Sequence, residues 1–161
     1  MNSWPQKGPS REVRVERWKN RAFYASPCRF FLDVPLDMSG IVHAAVRDCV
    51  AHGYHQLAGG MTLITDAIFR GAALIEIVDP RPGDPHVQRM DGEMIARALP
   101  EKGVRLRAEL DELVRWSVDL GYEIGGCYVS YEPRDSTRSV RPAHLYAPIR
   151  GEELLIESTR G

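Results

Sequence analysis

Long apolar runs, paired cysteines and any charge imbalance are missing from this chain of 161 residues. No apolar stretch approaches the roughly 18 residues that a membrane-spanning helix needs. The polar start Met1–Ser10, with Pro5 and Pro9, lacks the apolar core of a secretory signal. Cys28, Cys49 and Cys127 form no C-x-x-C pair, which argues against a disulfide framework and suits a reducing compartment. A soluble cytoplasmic protein without a membrane partner is expected. The 21 basic and 22 acidic residues leave a net charge of -1, without the basic excess usual in a nucleic-acid binder, so no direct nucleic-acid contact is expected. Gly59-Gly60 and Gly125-Gly126 belong to no G-x-x-x-x-G-K-[ST] or G-x-G-x-x-G pattern and read as turns or bulges at strand starts. The five histidines show no metal-ligand spacing. His43 and His52 lie on opposed faces of one helix, and His55, His86 and His144 lie in separate elements. Neither a metal nor a cofactor is expected.

What the chain does contain is a repeat. Val46-Arg47-Asp48-Cys49-Val50-Ala51-His52-Gly53-Tyr54 and Val114-Arg115-Trp116-Ser117-Val118-Asp119-Leu120-Gly121-Tyr122 share V-R-x-x-V-x-x-G-Y, five identities in nine positions. Downstream, Gly59–Asp66 falls against Gly125–Glu132 after a two-residue slip, and Ala72–Ile75 against Ala143–Tyr146. Upstream, Arg29–Leu32 falls against Arg97–Pro100. The same order of segments recurs, which points to a duplicated unit of about 65 residues.

Local patterns place the elements. Val13–Trp18 alternates apolar and charged residues and reads as a short edge strand, and Cys28–Val34 reads as the first strand of copy one. Ser39 can cap a helix over Gly40–His52, closed by Gly53. Met61–Thr65 and Ala72–Val78 read as strands. Asp79–Pro85 carries three prolines and is the natural linker. Copy two repeats the order with a strand over Glu93–Leu99 and a helix over Val104–Leu120, then strands over Gly126–Tyr131 and Ala143–Ile149. Leu106, Leu110, Leu113, Ser117 and Leu120 line that helix, with Val114 at the flank. The expected fold is α+β: two pseudo-symmetric β-α-β-β repeats forming an antiparallel sheet covered by two helices. The expected organisation is a tail or edge segment (1–21), one domain over 22–149 and a tail over 150–161. The domain divides into repeat one (22–78), the linker (79–85) and repeat two (86–149). The groove between repeats is the expected ligand site.

This arrangement resembles the GyrI-like, or bacterial effector-binding, domain family. The most specific part is Trp116, Gly121-Tyr122 and Gly125–Tyr131, followed by the closing strand Ala143–Ile149 with its Ala147-Pro148-Ile149 end. The resemblance covers roughly residues 22 to 149. It implies a small-molecule site between the copies, often for aromatic and cationic compounds. Members fused to a DNA-binding segment act as drug-responsive regulators, others stand alone, and a subset are hydrolases. With about twenty residues before the first unit, a stand-alone member is expected. The family often carries a Glu two positions before an aromatic in the second strand of copy two; aligned on Tyr131, that position holds Val129. Glu132 then points to the opposite face, unless a bulge turns it inward.

The candidate ligand-binding residues are Trp116, Tyr122, Tyr128, Tyr131 and Tyr146, which can stack on a flat ligand and attract a cation, and the carboxylates Glu132 and Glu76. For any one aromatic, ordinary packing is the simpler account. Glu132 and its counterpart Asp66 also read as strand-end acids, and Glu76 as an outward residue of an alternating strand. Cys49 and Cys127 read as buried small residues, and Arg134, Arg138 and Arg141 as a solvated face that would instead greet an anion. The expected function is binding of a small, largely apolar aromatic ligand, cationic or not, in the inter-repeat groove. A homodimer or a regulatory protein is the expected macromolecular partner. The alternative is a hydrolase in which Glu132 or Glu76 activates water; no catalytic residue is assigned.

Overall fold

The computed structural model describes residues 13–28, 38–65, 71–100, 104–124, 126–133 and 139–150. Nine elements follow one another: β1 (Val13–Cys28), α1 (Met38–Ala51), β2 (Thr62–Thr65), β3 (Gly71–Glu76), β4 (Val87–Ala98), α2 (Leu106–Asp119), β5 (Glu123–Ile124), β6 (Tyr128–Pro133) and β7 (Val140–Arg150). The strands join antiparallel in the order β4-β1-β3-β2-β6-β7-β5, and β4 also pairs with β7. That last pairing closes six strands into a barrel-like ring, with β5 added at the end of β7. The chain is thus a mixed α/β protein with two helices against an antiparallel sheet.

Two clusters of buried side chains divide the faces of the ring. One contains Tyr24, Ile75, Ile95, Val129 and Leu145 from the strands with Val42, Ala45, Cys49 and Leu113 from the helices. The other contains Trp18, Phe23, Leu63, Leu74, Met90, Met94, Ala96 and Tyr146, all from strands. Helix side chains enter the first cluster alone, so the helices lie outside the ring and the second cluster lies inside. A hydrogen bond of 3.4 Å from Gln88 Nε2 of β4 to Tyr128 Oη of β6 joins two strands that are not neighbours in the ring and so crosses this inner face.

The repeated nonapeptide closes both helices in the same way. Gly53 and Gly121 have φ of 84° and 80°, which a residue without Cβ adopts without strain. The Gly53 and Gly121 N–H groups donate to Val50 and Val118 carbonyls at 2.9 and 3.0 Å. The Tyr54 and Tyr122 N–H groups donate to Cys49 and Ser117 carbonyls at 3.2 and 2.8 Å. This is the Schellman cap, and it accounts for the recurrence of glycine.

Several expectations shift. The short edge strand over Val13–Trp18 is the start of β1, which is paired with β4 from Val13 to Tyr24 and with β3 from Phe23 to Cys28. The strand expected over Cys28–Val34 lies, past Cys28, outside the described residues, as do Asp66, Arg134, Arg138 and the C-terminal tail. The Lys19-Asn20 break in alternation is absorbed by a bulge: these two residues face Asp91 alone, Asn20 takes φ 46°, and its N–H donates to Asp91 Oδ1 at 2.8 Å. Ser39 lies inside α1 rather than before it, and its Oγ accepts the Val140 N–H at 2.9 Å. On α2 the buried stripe is Glu109, Leu113 and Ser117, while Val114 and Leu120 are exposed. The stripe turns because Glu109 is drawn down to Arg97 of β4, whose Nε lies 3.3 Å from Glu109 Oε1 and whose Nη2 donates to Glu112 at 2.5 Å.

Candidate functional site on the inner face of the sheet

The bulge in β1 decides what the inner face carries. Uninterrupted alternation would send Arg21 and Phe23 to the side opposite Trp18. One extra residue brings Trp18, Arg21, Phe23 and Ala25 onto one face. Strand register sets Tyr146 opposite both Ala96 and Tyr128, and Leu63 opposite Leu74. Trp18 and Tyr146 rings meet at 5.1 Å between centroids, and Trp18 packs on Phe23 at 6.2 Å.

Glu76 stands on this face, in alternation with Leu74, and is only 5% exposed. Its outward placement was the simplest expectation from an alternating strand. The structure buries it instead, because two partners offset the cost of removing a carboxylate from water. Glu76 Oε1 accepts the Met61 N–H at 2.9 Å, and Oε2 lies 3.6 Å from Arg21 Nε. The Arg21 guanidinium lies 4.7 Å from the Trp18 ring centre, and its Nη1 donates to Met61 Sδ at 3.0 Å. Gly60 guards the carboxylate: a Cβ there would sit 2.9 Å from the Leu57 carbonyl oxygen and 3.1 Å from Glu76 Cβ.

The expected aromatic wall divides. Tyr128 and Tyr146 share the inner face with Glu76, Tyr128 half-buried and Tyr146 buried. Tyr131 is buried on the helix side, as is Val129, and Trp116 packs against that same core. Tyr122, 36% exposed, contacts Trp116 at 6.2 Å between ring centroids. The structure therefore sets Trp116, Tyr122 and Tyr131 apart from the inner face. The cause is strand parity: Tyr128 and Tyr131 are three apart and must point oppositely, and the register shift at this point falls on β7 rather than β6. Glu132 shares the parity of Tyr128, but it is exposed at the strand end and pairs with Arg141 at 2.6 Å.

His144 stacks on Tyr146 at 5.7 Å. Burial holds its imidazole below the ordinary histidine range, Arg14 adds to this, and Glu132 and Glu16 oppose it. Burial likewise pushes the phenols of Tyr131 and Tyr146 up to about 12. Sequence reading missed Trp18, Arg21, Phe23, Met61 and Gln88, most of which precede the first expected strand or sit across the bulge. Arg21 carried one usable signal, an arginine among aromatics in Trp18–Tyr24.

A second cluster lies on the helix side. Tyr24 Oη donates to Asp48 Oδ2 at 3.1 Å and lies 2.8 Å from His52 Nδ1, and Ser26 Oγ donates to the same Asp48 oxygen at 2.8 Å. His86 reaches this group from the proline-rich connection, with its ring 5.1 Å from that of His52. Burial first, then the hydrogen bond and charge of Asp48, raises the Tyr24 phenol to about 12. Arg81 covers the Tyr54 ring at 4.3 Å and donates to the His52 carbonyl at 2.6 Å, and Tyr54 donates to Asp84. These contacts dock the connection onto α1. No group of three or more His, Cys, Asp or Glu able to hold a metal occurs among the described residues, and no described helix is long and apolar enough to cross a membrane.

No family model matches the chain, and no curated protein matches it. Solved structures do. The crystal structure of the EcmrR C-terminal domain superposes with a TM-score of 0.62 at 10% identity, covering 87% of this chain and 98% of that one. The EcmrR chain in the cryo-EM structure of the EcmrR-DNA complex in EcmrR-RPo superposes with a TM-score of 0.59 at 13% identity. That match covers 87% of this chain and 57% of the other, so this chain spans little more than half its length. At such identities the likeness shows that the chain shares the fold of the EcmrR C-terminal domain.

Proposed function

We propose that this chain is a small-molecule-binding protein whose ligand, a compact aromatic compound, is held on the inner face of the sheet where the two β-α-β-β halves meet. The observation that carries the reading is Glu76, a carboxylate buried on the face that also carries Trp18, Phe23, Tyr128 and Tyr146, a face that neither described helix covers. A core needs no such group, and its partners Arg21 and Met61 remain partly accessible. The likeness to the EcmrR C-terminal domain supports the same reading through the fold. We also propose that the halves are a structural duplication. Within each half the first strand pairs with the last (β1 with β3, β4 with β7), and the halves meet through β1–β4 and β2–β6. Direct nucleic-acid contact is not part of the proposal. No observation favours the hydrolytic alternative, since Glu76 is engaged by the Met61 N–H and Arg21, and Glu132 by Arg141.

Calorimetric titration with uncharged biphenyl derivatives tests the proposal. Saturable binding is expected, weakened at least tenfold, or about 1.4 kcal/mol, in Tyr128→Ala. Binding that is unchanged in that variant, or absent from the wild type, would refute it.

A further inference from the structure

Among the described residues, the inner face carries three carboxylates by strand alternation, Glu16, Glu76 and Glu132, and each is paired with an arginine of the same face. Arg14 pairs with Glu16, Arg21 with Glu76 at 3.6 Å, and Arg141 with Glu132 at 2.6 Å. Trp18 Nε1 donates to Glu16 at 3.1 Å, tying the first pair to the aromatic floor. Arg21 stands where an aromatic cation would stand: beside the buried carboxylate and over the Trp18 ring at 4.7 Å. An incoming cation meets no open anion and must first evict a guanidinium that already has both the charge and the ring contact. An incoming anion meets the guanidinium with the Glu76 carboxylate on its flank.

We infer that Arg21 is a built-in occupant of the cation position, a specificity-determining residue that makes the site a receptor for uncharged aromatic molecules rather than for organic cations. The inference rests on the proposed binding at this face and adds the ligand's charge class and the residue that sets it. Arg21 is one-third exposed by side chain, so it can be changed without opening the core, whereas Glu76 is 6% exposed. Removing the arginine unmasks the carboxylate, and neutralising the carboxylate unmasks the arginine. One pair therefore sets the sign of the preference.

The test uses three probes on one ring system: 4-biphenylmethanol, (4-biphenylmethyl)trimethylammonium and biphenyl-4-carboxylate, titrated calorimetrically into the full chain at low salt. Wild type is expected to bind the alcohol at least as tightly as either ion. Arg21→Met should favour the cation over the alcohol at least tenfold, and Glu76→Gln should favour the carboxylate by a similar factor. A wild type that binds the cation tenfold tighter than the alcohol overturns the inference even if neither variant folds. So does a folded Arg21→Met variant with unchanged preference. In both outcomes binding itself survives. Absence of binding by all three probes in all three proteins fails the binding proposal, and the inference with it.

Discussion

At the scale of single residues, burial separates ion pairs that look alike in the sequence. Arg97 and Glu109 are each 7% exposed, and Arg97 holds two carboxylates, Glu109 and Glu112. Glu109→Ala takes the buried one and leaves Glu112, and should cost about 1–3 kcal/mol by urea denaturation. Arg141→Ala breaks a pair whose glutamate is half exposed, and should cost no more than about 1 kcal/mol. The tyrosines give a second residue-scale prediction. Tyr24, Tyr131 and Tyr146 titrate near 12 in the folded chain, against an ordinary value near 10. A phenol with a raised folded pKa contributes stability that is complete below its unfolded value and is lost as pH rises through the folded one. Ultraviolet titration should therefore leave these three tyrosines largely protonated at about pH 11, and stability should fall between about pH 10 and 12. His144 acts at the other end. Its lowered pKa penalises the folded state as pH drops below the unfolded histidine value near 6.5, so His144→Gln should flatten the acid-side loss of Tm.

At the scale of elements, both helices and six of the seven strands were legible, with boundaries moved by a few residues at most places. Periodicity and glycine punctuation found α1 and α2, and the caps at Gly53 and Gly121 explain why so short a repeat was visible. The bulge at Lys19-Asn20 was not legible, because it looks like the end of a strand when alternation is the only guide. It matters most, since it selects the face for Arg21 and Phe23. Asn20 sits at φ 46°, so Asn20→Gly should be near neutral and Asn20→Val should cost about 1–2 kcal/mol. Deleting Asn20 removes the extra residue, so regular alternation still sets Trp18, Arg21 and Phe23 on one face, and the cost should be confined to the lost contact of the Asn20 N–H with Asp91. Thermal unfolding of the three variants orders these costs. The same parity rule divides the expected aromatic wall: Tyr128 and Tyr146 stand on the face that carries Glu76, while Tyr131 and Trp116 lie on the helix side. The burial of Glu76 was hidden because its partners, Arg21 and Met61, arrive from other strands of the ring.

At the scale of the whole molecule, closure of the sheet through β4–β7 creates an inside, and that inside holds the Glu76–Arg21 pair among apolar side chains. The connection over residues 79–86 runs on the outside, held at the C-terminal end of α1 by contacts of Arg81, Asp84 and His86 with Tyr54 and His52. Two tryptophans stand on the two sides, Trp18 within and Trp116 without. That separation allows the central claim to be tested in one experiment. In a ¹⁵N-labelled sample titrated with 4-biphenylmethanol, the indole N–H signal of Trp18 should shift progressively to saturation while that of Trp116 stays in place. Assignment comes from Trp18→Phe and Trp116→Phe spectra. A saturable shift of Trp116 with Trp18 unmoved would place the ligand on the helix side and contradict the account.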